Sequence, residues 1–379
     1  MIYFYIFIVI LILAILELST KLNMKKLFNV IFILLTLMSS LRYGVGSDFF
    51  NYMYIYSGIP KLNNPYFKTV VAHTEYGYNV IQGFFKMFNL DYSVFVFVIT
   101  AITMLLFYLY IKKNSRHYMV SLLIFYSMYY FTYINSGIRQ GLAIGLFLVV
   151  LLPMLQKKEY LKYVLFTLLF SLIHSSIVIV LVLPLIYFNV NKENFIMMIL
   201  CASIISFANI GFLLKPFGRI YTSYQYYLGA QINIFPIISR VVIFSIIVIL
   251  YKSVSNKIKI EDKNIMKYYI VGIIIYITFC RSELLSSRLN VYFKCFEIIL
   301  IPNLIQIIHH KQKKLLISYV ICIIMMTMWT KEINAALEQG EYYNKGNVLN
   351  YPYVSVFNKN DISLYRPIYY KIDELDNMN

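Results

Sequence analysis

Long apolar runs separated by short basic loops set the plan of this chain. From residue 2 to residue 330, runs near the roughly 20 residues that a helix needs to cross a bilayer recur with little between them. Spans are predicted near 2–19, 27–41, 92–111, 118–134, 138–155, 163–188, 195–214, 235–251, 267–282, 289–309 and 315–330. Backbone amides have no water to bond in hydrocarbon, so each run is predicted to be helical. The expected fold class is all-α, a polytopic membrane protein with about 10–12 transmembrane or re-entrant helices. An integral domain over 1–330, with an external loop at about 42–91, then precedes a polar C-terminal tail at 331–379. The first run, Ile2 to Leu16, has no basic segment before it, and Glu17-Leu18-Ser19-Thr20 after it offers no small-residue cleavage site. It is expected to stay as an anchor.

The basic residues give the runs a direction. Half of the 34 lysines and arginines fall in five short loops: Lys21, Lys25, Lys26; Lys112, Lys113, Arg116; Lys157, Lys158, Lys162; Lys252, Lys257, Lys259, Lys263, Lys267; and Lys311, Lys313, Lys314. Short loops rich in lysine and arginine mark the cytoplasmic side, so the net charge of +17 reflects membrane orientation and not nucleic-acid binding. This puts the Arg42 segment, Asn135 to Gln140, Arg281 to Arg288 and the tail on the outer face of the cytoplasmic membrane. Between the third and fourth basic loops, however, lie three apolar segments, and three crossings cannot return the chain to one side. The segment 163–188 is predicted to be re-entrant or broken, because it exceeds one span and carries His174-Ser175-Ser176 at its middle. Irregular backbone at membrane depth is tolerated where it lines a cavity.

Composition closes off other classes. With 60% hydrophobic and 13% charged residues and a mean hydropathy of +0.69, the chain is far from a soluble domain. Cys201, Cys280, Cys295 and Cys322 lie within apolar runs without paired metal-ligand spacing and argue for neither zinc nor a disulfide framework. The five histidines are scattered. No metal and no cofactor is expected.

The richest stretch is Arg42-Tyr43-Gly44-Val45-Gly46-Ser47-Asp48-Phe49-Phe50-Asn51-Tyr52. Its glycines allow a tight turn close to a ligand, its guanidinium can grip phosphate bidentately, and its carboxylate can take a proton or orient a hydroxyl. An interfacial arginine snorkelling towards headgroups at a plain turn reads equally well from this stretch alone. Arg42, Asp48, Glu75, Arg139, Arg219, Arg240, Arg281 and Arg288 all fall at outer loops or outer helix ends. Outer arginines run against the positive-inside bias, and an anionic ligand such as a lipid pyrophosphate explains the set. His174 suits either a structural bond to Ser175, Ser176 or a carbonyl, or proton transfer at the break. Glu75-Tyr76-Gly77-Tyr78-Asn79 suits sugar hydroxyls and pyranose faces, or simple solvation. Arg219 and Gln225 among Tyr221, Tyr224, Tyr226 and Tyr227 repeat that chemistry.

Arg42-x-Gly44-x-Gly46-x-Asp48-x-x-x-Tyr52, Glu75-x-Gly77, Ile138-Arg139-Gln140-x-x-Ala143, His174-Ser175-Ser176 and Ser287-Arg288-x-x-x-Tyr292, in this order over roughly 40–300, resemble the EpsG family of Wzy-like polysaccharide polymerases. Phe49 departs from the tyrosine often found there in the family. The resemblance implies a membrane glycosyltransferase that moves a growing glycan from a polyprenyl-pyrophosphate carrier onto another lipid-linked repeat unit. Such transfer makes capsule, exopolysaccharide or O-antigen chains on the outer face, without a nucleotide sugar or metal. Other polysaccharide assembly proteins are expected partners besides membrane lipid. Transfer from a pyrophosphate needs cations for the leaving group and a base for the acceptor hydroxyl. Arg42, Arg139, Arg219, Arg281 and Arg288 are the expected pyrophosphate and glycan binders, and Asp48, Glu75 or His174 the catalytic base. Two rival readings are a lipid-linked oligosaccharide flippase, which should show internal repeats and charges along a path, and a non-catalytic assembly partner, which leaves the ordered polar motifs unexplained.

Overall fold

Apolar runs become helices here because only a helix satisfies every backbone amide within one segment. The computed structural model describes residues 1–20, 22–69, 74–187, 197, 234–308, 311–340 and 347–366. In chain order come α1 (Ile2–Ser19), α2 (Lys25–Ser40), α3 (Phe49–Gly58), α4 (Tyr76–Met87), α5 (Tyr92–Asn114), α6 (Tyr118–Met128) and α7 (Ile138–Gln156). A wider π turn, Tyr130–Ser136, leads from α6 towards α7. Then follow α8 (Tyr160–Ser171), a 3₁₀ arm (Ser175–Tyr187), α9 (Ile234–Val254), α10 (Ile260–Thr278), α11 (Glu283–Lys294), α12 (Glu297–Ile307) and α13 (Lys311–Gln339). Among the described residues there is no strand, only an isolated bridge between Arg42 and Ser355.

Five of these helices are long and apolar enough to cross a membrane: Ile2–Ser19, Tyr92–Asn114, Ile138–Gln156, Pro236–Val254 and Lys314–Gln339. With the shorter apolar helices they make an all-α, multi-pass membrane protein. The surface agrees. α1 turns Tyr3, Phe7, Ile10, Ala14 and Glu17 into the bundle and leaves Ile2, Tyr5, Val9, Ile12 and Leu16 outside. An apolar outer face is costly in water and costless in lipid. α6 runs through the centre, with every residue from Met119 to Met128 buried, and the Glu17 carboxylate caps it by accepting the backbone N–H groups of Met119 and Val120 at 2.8 and 3.2 Å. Two expected spans differ or fall outside view. The run 289–309 is not one span: α11 ends at Lys294 and α12 begins at Glu297, with a turn at Cys295 and Phe296. The run 195–214 apart from residue 197, together with Arg219 and its tyrosines, lies outside the described residues.

The basic loop after α5 meets the start of α10 and the end of α12. Arg116 pairs with Asp262 at 2.9 Å, and Asn303 at the close of α12 bonds the Arg116 N–H, the Asn114 carbonyl and Asp262. Tyr108, beside Lys112, reaches Asn29 near the start of α2.

The segment 163–188 is broken, as its length and polar centre predicted. α8 stops at Ser171, and the chain reverses at Leu172 to His174. The two arms lie side by side, with the Tyr163 hydroxyl donating to the Val180 carbonyl at 2.6 Å. Those partners sit on either side of the turn, which makes this a hairpin. α8 starts just after Lys157 and Lys158, and its 12 residues rise about 18 Å, short of a hydrocarbon core of about 30 Å. The tip therefore carries His174, Ser175 and Ser176 less than one membrane thickness from the Lys157–Lys158 loop.

Candidate functional site

The Arg42 to Asp48 loop is shaped by carbonyl capture. Arg42 is 1% exposed, and its guanidinium donates to the carbonyls of Ser39, Val45 and Asn135 and to Thr100 Oγ1. Within the described residues this arginine is turned into the protein, where it holds the loop against α5 and the π turn. Gly46 has φ +105°, and a Cβ there would strike the Asn135 carbonyl, so only glycine fits. The Ser47 N–H donates to Ser136 Oγ at 3.0 Å. So fixed, the loop delivers half-buried Asp48 as the first residue before α3, one turn from Tyr52 and on the same face.

Tyr52 begins the central cluster. Its hydroxyl accepts from Arg139 Nε at 3.2 Å, and the Arg139 guanidinium lies over the rings of Tyr52 and Tyr78, 5.2 and 5.8 Å from their centroids. Arg139 Nη1 forms an ion pair with Glu75 Oε2. The other Glu75 oxygen accepts from the Ser175 N–H and hydroxyl, both at 3.1 Å, and lies 3.4 Å from His174 Nδ1. Burial alone would raise the Glu75 pKa. His174, Arg139 and the Ser175 N–H outweigh it and hold the carboxyl well below the usual carboxylate range. Both ring nitrogens of His174 are buried without a hydrogen-bond partner among the described residues, the Nδ1 approach to Glu75 being at ion-pair distance only.

The remaining motifs close around this cluster. Gln140 Nε2 donates to the Arg288 carbonyl at 2.8 Å and approaches Ser176 Oγ at 3.4 Å, while Ser176 and Tyr292 hydroxyls are 2.9 Å apart. The Arg288 side chain is exposed and close enough to act electrostatically on Tyr52 and His174. Among the described residues it has no ion-pair or hydrogen-bond partner. Gly77 brings α4 against the hairpin tip: the Tyr78 N–H donates to the Leu172 carbonyl at 3.1 Å, and a Cβ on Gly77 would lie 2.7 Å from Leu172 Cβ.

The structure thus brings together Glu75, Arg139 and His174, sets Asp48 one turn from Tyr52, and leaves Arg288 as an exposed cation beside them. Arg281 is half-buried in the turn before α11. Arg240 is spent in a buried ion pair with Glu297, whose Oε1 also accepts the Tyr269 hydroxyl at 2.7 Å. Sequence reading gave no role to Tyr52, Gln140 or Tyr292. The i, i+4 spacings Asp48/Tyr52 and Arg288/Tyr292 were the signal that each pair shares a helix face. Compared with known proteins, the chain matches the model of the EpsG family over residues 25–355. No curated protein and no solved structure matches it.

Proposed function

The chain belongs to the EpsG family and is a multi-pass membrane protein of polysaccharide biosynthesis; from that premise we propose that it polymerises lipid-linked oligosaccharide repeat units at the outer face of the cytoplasmic membrane. The acceptor is a hydroxyl of one lipid-linked unit, and the donor is a glycan on polyprenyl pyrophosphate. As the acceptor oxygen bonds to the anomeric carbon, the bond from that carbon to the phosphate oxygen breaks. The pyrophosphate leaves with the electron pair, and the acceptor proton passes to a base.

The observation that carries this reading is the Glu75–His174 contact beside Arg139. Nδ1 of His174 lies 3.4 Å from Glu75, so a proton placed on Nδ1 would face the carboxylate and leave Nε2 its lone pair for the acceptor proton. A carboxylate held so acidic serves better as the orienting group than as the base. Arg288 stabilises the leaving pyrophosphate, and Arg139, partly neutralised by Glu75, adds a second cation. Asp48 orients the incoming hydroxyl. Arg281 and Arg219 belong to the proposed anion-binding set, while Arg42 contributes by fixing the loop.

Lipid-linked products from a strain lacking the gene test the proposal. Single repeat units accumulating on the outer face, converted to long chains by the wild-type gene and not by His174→Ala, are expected. Repeat units trapped on the cytoplasmic face would replace polymerisation with flipping.

A further inference from the structure

We propose that Arg366, beyond the matched region, is a positioning residue of this site, acting through a C-terminal strap that locks the Asp48 loop. Residues 347–366 return to the Arg42 end of the molecule. The Tyr43 N–H donates to the Val354 carbonyl at 2.8 Å and the Val356 N–H to the Leu41 carbonyl at 2.9 Å, on either side of the Arg42–Ser355 bridge. The Ile362 side chain packs on Gly44, and Lys359 lies 5.2 Å from the centre of the Tyr43 ring.

Arg366 completes the lock. It is 1% exposed, stacks over Phe50 at 4.9 Å, and donates from Nη1 to the Gly44 and Gly46 carbonyls at 3.0 and 2.9 Å and from Nη2 to the Ser47 carbonyl at 3.3 Å. Arg42 takes the Val45 carbonyl from the other side. Four successive carbonyls, Gly44 to Ser47, are therefore shared between two guanidinium groups 324 residues apart. A planar fork with several donors suits this, and a lysine point charge does not. Asp48 follows directly, and α3 carries Tyr52 to Arg139, so displacement of the loop moves the acceptor-orienting carboxylate and the Arg139 anchor together.

The activity readout rests on the polymerase reading; a second readout does not. In purified protein given lipid-linked repeat units, Arg366→Ala and Arg366→Lys are expected to lower kcat about tenfold with KM little changed, as for a small misplacement of reacting groups. Millimolar guanidinium should restore the alanine variant, whereas ammonium should not. Independently, Asp48→Cys, with the native cysteines replaced, should react with a thiol reagent severalfold faster when Arg366 is alanine. Wild-type kcat in both Arg366 variants, or a kcat loss that follows melting temperature and is not restored by guanidinium, would overturn the proposal. An inactive wild type would refute polymerisation alone, and an unchanged rate of thiol labelling at position 48 would refute the strap alone.

Discussion

Gly77→Ala tests whether the site depends on the contact between α4 and the hairpin tip. Gly77 lies in the first turn of α4, where alanine gains up to about 1 kcal/mol of helix propensity over glycine. Packing acts the other way. The new Cβ would meet Leu172 Cβ at 2.7 Å and the Leu172 carbonyl oxygen at 2.8 Å, so relaxing to an ordinary 3.4 Å moves the tip by about 0.7 Å. That shift lengthens the 3.1 Å bonds from Ser175 to Glu75 beyond hydrogen-bond range and parts His174 from its 3.4 Å contact. Overpacking of this kind costs about 1–3 kcal/mol, which exceeds the propensity gain. A sub-ångström misplacement of a catalytic group is expected to slow elongation about tenfold to a hundredfold. The assay is elongation of lipid-linked units by purified protein, with glycan chain length in cells as the second measure. Leu172→Gly in the same chain should restore activity only in part, because the carbonyl oxygen remains. Wild-type elongation by Gly77→Ala at normal abundance would refute the coupling.

Arg42→Ala should reduce protein abundance as well as chain length, since it strips the partners from three carbonyls in a buried position, at about 1–3 kcal/mol each; normal abundance in membranes would show that the loop is held without it. Arg288→Ala should leave abundance unchanged and abolish long chains, with lysine recovering part of the activity, and wild-type chain length in the alanine variant would remove Arg288 from the site. For Glu75, the folded pKa lies below the unfolded value of about 4.3, so its stabilisation is complete above that pH and is lost as pH falls through the folded value. The melting-temperature advantage of wild type over Glu75→Gln in detergent should therefore hold from pH 7 to about pH 5 and shrink below pH 4, and an advantage that grows on acidification would contradict it. Phe357→Cys, at a position 83% exposed, should react with a membrane-impermeant thiol reagent in intact cells after the native cysteines are replaced, whereas Lys158→Cys should react only after permeabilisation; the reverse result would invert the orientation.

The long apolar runs were legible because lipid demands an uninterrupted hydrophobic length, and α1, α5 and α7 follow it closely. The break at His174 was legible for a related reason, since a polar triplet in the middle of an overlong run has a cost that irregular backbone can absorb. The break at Cys295 and Phe296 was not: Asn290, Lys294 and Glu297 have the spacing of one continuous helix face, and nothing local marks the turn. Arginine shows the same limit more sharply. A sequence reveals that an arginine in apolar surroundings must be compensated, but not by what. For Arg42 the compensation is carbonyl oxygen, for Arg240 a glutamate, and for Arg139 a glutamate and a tyrosine that the sequence holds 64 and 87 residues away. Arg366 sits in a polar tail where an arginine raises no question, so no local pattern could point to Gly44.

The hairpin tip has a consequence for how the protein comes into being. Glu75 hangs from a segment at the Arg42 end, whereas His174 sits at the tip of a hairpin whose first arm starts at the Lys157–Lys158 loop. Neither half can be completed from its own side. A chain whose hairpin was threaded the wrong way, or whose 42–91 segment stayed behind, would have every helix it needs and no contact between Glu75 and His174. In the proposed orientation the site is thus a record of correct insertion, formed only once both faces of the membrane have been served.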